Sequence, residues 1–456
     1  MTAETAYPAY RESDLPWAPS LPNGWQVLRN GRLFAHRVQT GFPDLPILEV
    51  SLRTGVRVRD MENLKRKQVM SHKEKYKRAA KGDIAYNMMR MWQGALGPAP
   101  VDGLVSPAYV VVKPFPEANS AFYSYLFRTD AYMREVNKFS RGIVADRNRL
   151  YWDEFKQMPS LVPPRTEQDQ IVAYLRAQDA HIARLIKAKR DLIELLTEQK
   201  LRFIDQAVTR GLHPSVTLTP SGIGWLGDVP EHWQLRRLKF VAGNVTNQTR
   251  TKQSEEAYLA LEHVESWTGT ARPLDGEVDF ASTVKQFAID DVLFGKLRPY
   301  LAKVTLATRA GVCVSEFLVL RARGILIFPA YLEQLMRSKR VIDLINSSTA
   351  GAKMPRADWT FIGNVRLPLP PTNEQESILA AIAFETKDLD DTIQRAKDEI
   401  KLIHEYRDRR IADVVTGQVD VRGWVKDPDD IVVDEDLAVL GGDEEQEIEG
   451  DDDGDD

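Results

Sequence analysis

Pro163-Pro164-Arg165-Thr166-Glu167-Gln168 opens a run in which apolar residues fall at Ile171, Leu175, Ile182, Leu185, Leu192, Leu196 and Phe203. The spacings are threes and fours wherever polar residues do not interrupt, the period of one helix face. The prolines fix the start, and Thr166 offers an N-cap. The same statement returns as Pro370-Pro371-Thr372-Asn373-Glu374-Gln375, followed by Ile378, Ile382, Leu389, Ile393, Ile400, Ile403 and Ile411. Each run predicts one helix of roughly 44 residues, about 66 Å long at 1.5 Å per residue.

Upstream of each helix the sequence also repeats. Ser13, Trp17, Pro22, Trp25, Gln26 and Arg29 recur as Ser221, Trp225, Pro230, Trp233, Gln234 and Arg237, an offset of 208. That period is too long for a solenoid unit and suits one globule plus one helix, copied. The tryptophans read as wedges between the opening segment and the globule. Further on, Lys77, Asp83, Ile84, Tyr86 and Arg90 match Lys285, Asp291, Val292, Phe294 and Arg298. An acidic turn followed by apolar and aromatic residues predicts a short strand in each copy. Each strand runs into a basic and aromatic segment, Asn87 to Trp92 or Gly295 to Tyr300, which includes Lys296. Arginine beside aromatic rings at a strand end suits a base edge, a phosphate, or simple stacking on its neighbour. A second, core strand is expected at Val105 to Lys113 and at Val314 to Arg321.

Helical spacing then covers Ala121 to Lys138 and Tyr331 to Ser347. Each helix leads into a basic loop with glycine: Lys138-Phe139-Ser140-Arg141-Gly142 in one copy, Ser348-Thr349-Ala350-Gly351-Ala352-Lys353 in the other. Arg147 and Arg356 match at offset 209. Small residues admit a phosphate to the backbone and the flanking cations supply charge. The candidate nucleic-acid contacts are therefore Tyr86, Arg90, Arg141, Arg147, Lys296, Arg298, Lys353 and Arg356.

A long helix with a polar face must cover its apolar stripe, and the other copy is the natural partner. Because the chain returns from the first helix to build the second globule, antiparallel pairing is the simplest topology. The expected fold is α/β (α+β): two similar globules separated by two long antiparallel helices forming a coiled coil. The expected boundaries are 1–165, 166–210, 211–372, 373–417 and an acidic, disordered tail at 418–456. Lys187, Lys189 and Arg190, with Arg407, Arg409 and Arg410, are read as the solvated face.

Composition narrows the function. The net charge of −5 comes from 61 basic and 66 acidic residues, but Asp427 to Asp456 holds 16 of the acids and no Lys or Arg. Without that tail the balance is 61 against 50, or +11, which fits a polyanion partner or plain solubility. No apolar run approaches the roughly 18 to 20 residues of a membrane span. The opening residues carry no secretory pattern, so a cytoplasmic protein is expected. The lone Cys313, in Gly311-Val312-Cys313-Val314, reads as a buried structural thiol, and the seven histidines show no metal-ligand spacing.

Taken together, Ser221-Gly222-Ile223-Gly224-Trp225-Leu226-Gly227 with Pro230 and Trp233, the Gly-Asp-Ile and Asp-Asp-Val strands, and both Pro-Pro-x-x-Glu-Gln helix starts resemble the specificity subunit of type I restriction-modification systems. The resemblance runs from about Ser13 to Gly423. It implies two target-recognition domains, each reading half of a bipartite double-stranded DNA sequence. It also implies two modification subunits docked on this scaffold, binding S-adenosylmethionine and methylating adenine. Two restriction subunits using ATP and Mg2+ can join such complexes. No cofactor is expected on this chain itself. The acidic tail departs from the family's compact ending and reads as a solubilising extension, with DNA mimicry or autoinhibition as alternatives.

An enzymatic reading finds no phosphate-binding Gly-x-x-x-x-Gly-Lys-Ser/Thr loop. The Pro-Pro pairs follow Val162 and Leu369, not the Asn or Asp an adenine methyltransferase uses. Glu-x-Lys triplets at Glu154, Glu198 and Glu399 are ordinary in a chain with 28% charged residues. Catalysis is thus assigned to partners. A coiled-coil structural adaptor without intrinsic DNA specificity is the rival reading; it leaves the basic body unexplained.

Overall fold

The computed structural model describes residues 6–52, 55–59, 73–142, 148–276, 278, 282–323, 326–349, 354–428 and 430–441. The chain divides into two compact units, Met1–Asp191 with Lys397–Asp456, and Leu192–Ala396.

Both units are built on one plan. In unit 1 a four-stranded antiparallel sheet runs in the order Phe34–His36, Tyr109–Pro114, Ile84–Asn87, Leu96–Pro98. Unit 2 repeats the order with Ala242–Val245, Phe317–Ala322, Val292–Gly295 and Val304–Leu306. The central strands are apolar on both faces because helices cover one side and a second sheet the other. A two-stranded ribbon, Gln26–Arg29 with Pro159–Val162 or Gln234–Arg237 with Arg366–Leu369, delivers the chain to each long helix. The second layers follow one plan as well. Unit 1 pairs Leu48–Ser51 with Gly55–Val58 and Lys77–Ala79 with Gly103–Val105, and the parallel bridge between Ile47 and Leu104 ties the two pairs together. Unit 2 joins Gln248–Thr249, Val284–Phe287, Gly311–Cys313 and Ala257–Leu259 into one sheet with a parallel edge pair.

The expected single helices each break in two. Ser120–Phe127 is followed by Asp130–Phe139, and Pro329–Arg337 by Lys339–Ser347. The cause in unit 1 is Thr129, whose extended backbone and hydroxyl, accepting from the Tyr132 amide, start a new helix. Ser338 holds the same extended position in unit 2.

The long helices span Arg165–Arg210 and Thr372–Val415, each beginning one residue before the expected start. Thr166 and Asn373 are therefore inside the first turn, and the carbonyls of Pro164 and Pro371 accept its amides instead. In unit 1 the two helices run antiparallel, with Tyr174 meeting Arg410, Asp179 meeting Arg407 at 2.6 and 3.1 Å, and Lys189 paired to Glu399. In unit 2 Lys200 meets Asp390 at 2.6 Å. Lys189, Arg407 and Arg410 thus turn to the partner helix rather than to solvent. Arg407 is largely buried, and its charge is satisfied by Asp179.

Of the expected stripe, Ile171, Leu175 and Ile182 are buried in unit 1, as are Ile378 and Ile382 in unit 2. Leu196, Leu389, Ile400 and Ile403 are half-buried. Leu185 and Leu192 are not part of the stripe: they are 47% and 42% exposed, while Ile193, next to Leu192, is half-buried.

The segment after the second long helix is packed, contrary to expectation, at least through its first part. Val421 is buried, Trp424 sits edge-on against Tyr174, and Asp430 pairs with His181 at 2.7 Å. The apolar residues within an otherwise acidic stretch supply these anchors. The terminal run from residue 442 lies outside the described residues.

Candidate nucleic-acid interface

Each repeated motif has a definite structural task. Glu167 accepts the Trp25 indole at 3.0 Å and the Tyr7 hydroxyl at 2.6 Å; Glu374 accepts the Trp233 indole at 3.0 Å and His232 at 2.7 Å. Gln168 accepts from the Asn119 amide and donates to the carbonyls of Glu117 and Pro163. Gln375 does the same with Phe328, Leu326 and Pro370. At the far end of each long helix stands a left-handed glycine, Gly417 against Pro22 and Trp25, Gly211 against Trp233. A Cβ at Gly417 would lie 2.6 Å from Pro22 atoms. Each tryptophan is therefore gripped between the start of one long helix and the end of the other. Lys77 and Lys285 are also structural: their ammonium groups donate to the carbonyls of Pro107 and Tyr109, or of Phe317, and burial lowers both pKa values.

The acidic turn residues are likewise internal. Asp83 holds Arg37, and Asp291 holds Arg321 at 2.6 and 2.7 Å. The two carboxylates correspond, but their arginines do not: Arg37 corresponds to Val245, and Arg321 to Lys113. Arg37 follows Phe34–His36 and Arg321 lies on Phe317–Ala322, so the cation has moved between adjacent strands. Tyr86 joins the core. It is fully buried against Phe155, its hydroxyl has no partner among the described residues, and burial raises its pKa, which removes it from any exposed face.

The remaining cations gather where the central strand leaves the sheet. In unit 2 the Ala357 amide donates to the Lys296 carbonyl at 2.8 Å and the Arg298 amide to the Pro355 carbonyl at 2.8 Å. Leu297 and Arg356 form a β-bridge. Segments far apart in sequence thus bring the backbones of Lys296, Arg298 and Arg356 together, with the Arg298 and Arg356 side chains exposed. Arg356 pairs with Glu316 at 3.1 Å. Arg298 has φ 51°, a left-handed backbone that disfavours side chains beyond glycine. Lys353 lies outside the described residues.

In unit 1 the corresponding bond runs from the Leu150 amide to the Met88 carbonyl at 2.9 Å. Leu150 answers Ala357 and Met88 answers Lys296, so the residue answering Arg356 is Arg149, two positions beyond Arg147. The helices that follow, Trp152–Phe155 and Trp359–Ile362, keep the same offset of 207. Arg147 itself lies outside the described residues. Arg149 is exposed, Arg90 is half-buried, and no described residue pairs with either side chain. Arg141 exchanges backbone hydrogen bonds with Arg149 and pairs with Glu154 at 2.8 Å. The sequence signal for Arg149 is the offset of 207 that the tryptophan helices keep, counted backward from Trp152 and Trp359.

Cys313 is fully buried, and burial pushes its thiol up to about 12. No helix among the described residues is long and apolar enough to cross a membrane.

No family model matches the chain. Over 218 residues it is 22% identical to the specificity subunit of the type I restriction enzyme EcoDI of Escherichia coli. The match takes in 47% of this chain and 48% of that protein, so the chain spans about half the length of the curated relative it matches. A chain from a structure addressing complex assembly and conformational transition of the type I restriction-modification system aligns over 87% of this chain and 98% of its own. That alignment has a TM-score of 0.59 and 15% identity. The HsdS subunit from Thermoanaerobacter tengcongensis aligns over 87% and 96%, at 17% identity and a TM-score of 0.40. In sequence the chain is similar to a type I restriction enzyme specificity subunit, and its fold is that of a chain from a type I restriction-modification system.

Proposed function

We propose that this chain is a DNA-binding specificity subunit that reads a bipartite double-stranded target, one half-site per unit, and scaffolds a methyltransferase. The observation that carries this reading is the duplicated unit. The same sheet, the same Trp-Glu grip and the same cation-bearing strand exit occur twice, on a chain whose sequence is similar to a specificity subunit. A shared frame whose connecting loops differ in length, the repeat offset passing from 208 at the strands to 207 at the tryptophan helices, is what two readers of different sequences require, because readout resides in loops and the frame holds them. The long helices set the gap between half-sites. S-adenosylmethionine is bound by two modification subunits, and ATP and Mg2+ by two restriction subunits where these join. The chain itself supplies no catalytic group.

The test is methylome sequencing of a host expressing this chain with its co-encoded modification subunit. Adenine methylation within a two-part motif separated by a fixed gap is the expected result. No methylation, or a single uninterrupted motif, would overturn the proposal. The adaptor reading makes a different forecast: DNA binding by the assembled complex that is negligible for every sequence and insensitive to salt.

A further inference from the structure

We infer that the strand-exit junction in each unit is a clamp for the DNA phosphodiester backbone rather than a reader of bases, with Arg149 as its unassigned member in unit 1. The inference rests on the reading of the chain as a specificity subunit and names what this part of it touches.

Two observations carry it. The Leu150-to-Met88 hydrogen bond brings the segments carrying Arg90 and Arg149 together, neither side chain is ion-paired among the described residues, and the nearby Glu154 is taken by Arg141. Neighbouring like charges without a counterion repel, and an anion between them converts that cost into attraction. The second observation is the exchange between units. Where unit 2 has Lys296 and Glu316, unit 1 has Met88 and Ala108 at the corresponding places, and the backbone bond linking them is kept: the Lys296 amide donates to the Glu316 carbonyl at 2.9 Å, the Met88 amide to Ala108 at 3.2 Å. Unit 2 therefore sets Lys296, Arg298 and Arg356 against Glu316 and the nearby Asp358, and unit 1 sets Arg90, Arg141 and Arg149 against Glu154. Both junctions stay net positive through different side chains. Base readout depends on the identity and geometry of the donor, whereas a phosphate responds to charge. Keeping the sign of the charge while the side chains change is what the second requires.

The experiment uses the full chain with its modification subunit and two duplex oligonucleotides, one bearing the intact motif and one with a half-site scrambled. Arg149→Ala should weaken both duplexes by the same factor, about tenfold as for a lost charge-assisted hydrogen bond. It should also lower the slope of log affinity against log salt by about 0.9, the loss of one phosphate contact. Arg149→Lys should keep the slope, because a phosphate accepts a point charge. A thermal melt matching the wild type separates this loss from unfolding. An unchanged slope, or a loss confined to the intact motif, would overturn the clamp. Wild-type complex that binds neither duplex at any salt would overturn the specificity-subunit reading itself, and the clamp with it.

Discussion

The indole nitrogen of Trp25 donates to the carboxylate of Glu167 at 3.0 Å, across 142 residues of chain, and Trp233 repeats the bond to Glu374 at the same distance. Glu167 is the more buried of the two acceptors and also receives the Tyr7 hydroxyl, whose pKa is raised by burial and by this carboxylate. Glu167→Ala leaves two buried donors unsatisfied and should destabilise unit 1 by about 2 to 3 kcal/mol. Glu374→Ala should cost less, because His232 is exposed and water replaces its partner. Denaturant unfolding of both variants gives the order; equal losses would show that the extra donor contributes nothing.

Moving the cation that faces Asp83 is a natural experiment already performed between the units. Arg37→Val should cost about 3 kcal/mol, since it strands a buried carboxylate. Adding Lys113→Arg builds the arrangement that Arg321 makes with Asp291 and should recover at least half of that loss. Hydrogen exchange at Ile84–Asn87 locates the effect. No recovery in the double variant would mean the two geometries are not interchangeable.

Cys313 should be inert in the native chain. With its thiol pushed up to about 12, the thiolate is scarce at pH 8 and shielded as well. Iodoacetamide should label it only after denaturant is added, and labelling of the native protein at the rate of a free thiol would contradict its burial.

Four residues inserted in register near Lys187 lengthen the first long helix by about 6 Å, between one and two base-pair rises of roughly 3.4 Å. The methylated motif should acquire a longer gap with both half-sites unchanged. An unaltered gap would show that the helices do not set it.

Periodicity and repetition made the long helices, the paired strands and the duplicated frame legible, since each rests on local pattern. What escaped depends on partners distant in sequence. Arg407 and Arg410 look like a solvated charged face until Asp179 and Tyr174 are placed opposite them. Thr129 interrupts a helix whose apolar spacing continues unbroken through it. Val421 and Trp424 are too few to betray a packed segment in an acidic stretch. Arg147 and Arg356 match at an offset of 209, and the shift to 207 before the tryptophan helices moves the correspondence to Arg149. Tyr86 sat in a motif that pointed outward at its arginine and inward at its ring.

The division of the chain also dictates an order of assembly during synthesis. Unit 2 is the uninterrupted stretch Leu192–Ala396, whereas unit 1 needs Lys397–Asp456 to complete it. Its core holds Ile411, Val414, Val415 and Val421 together with Trp25 and Ile171. At about 5 to 20 residues per second, the intervening roughly 200 residues take about 10 to 40 seconds to emerge. The unit begun first is finished last, and until then the Trp25 side of its core waits uncovered for a helix the ribosome has not yet made.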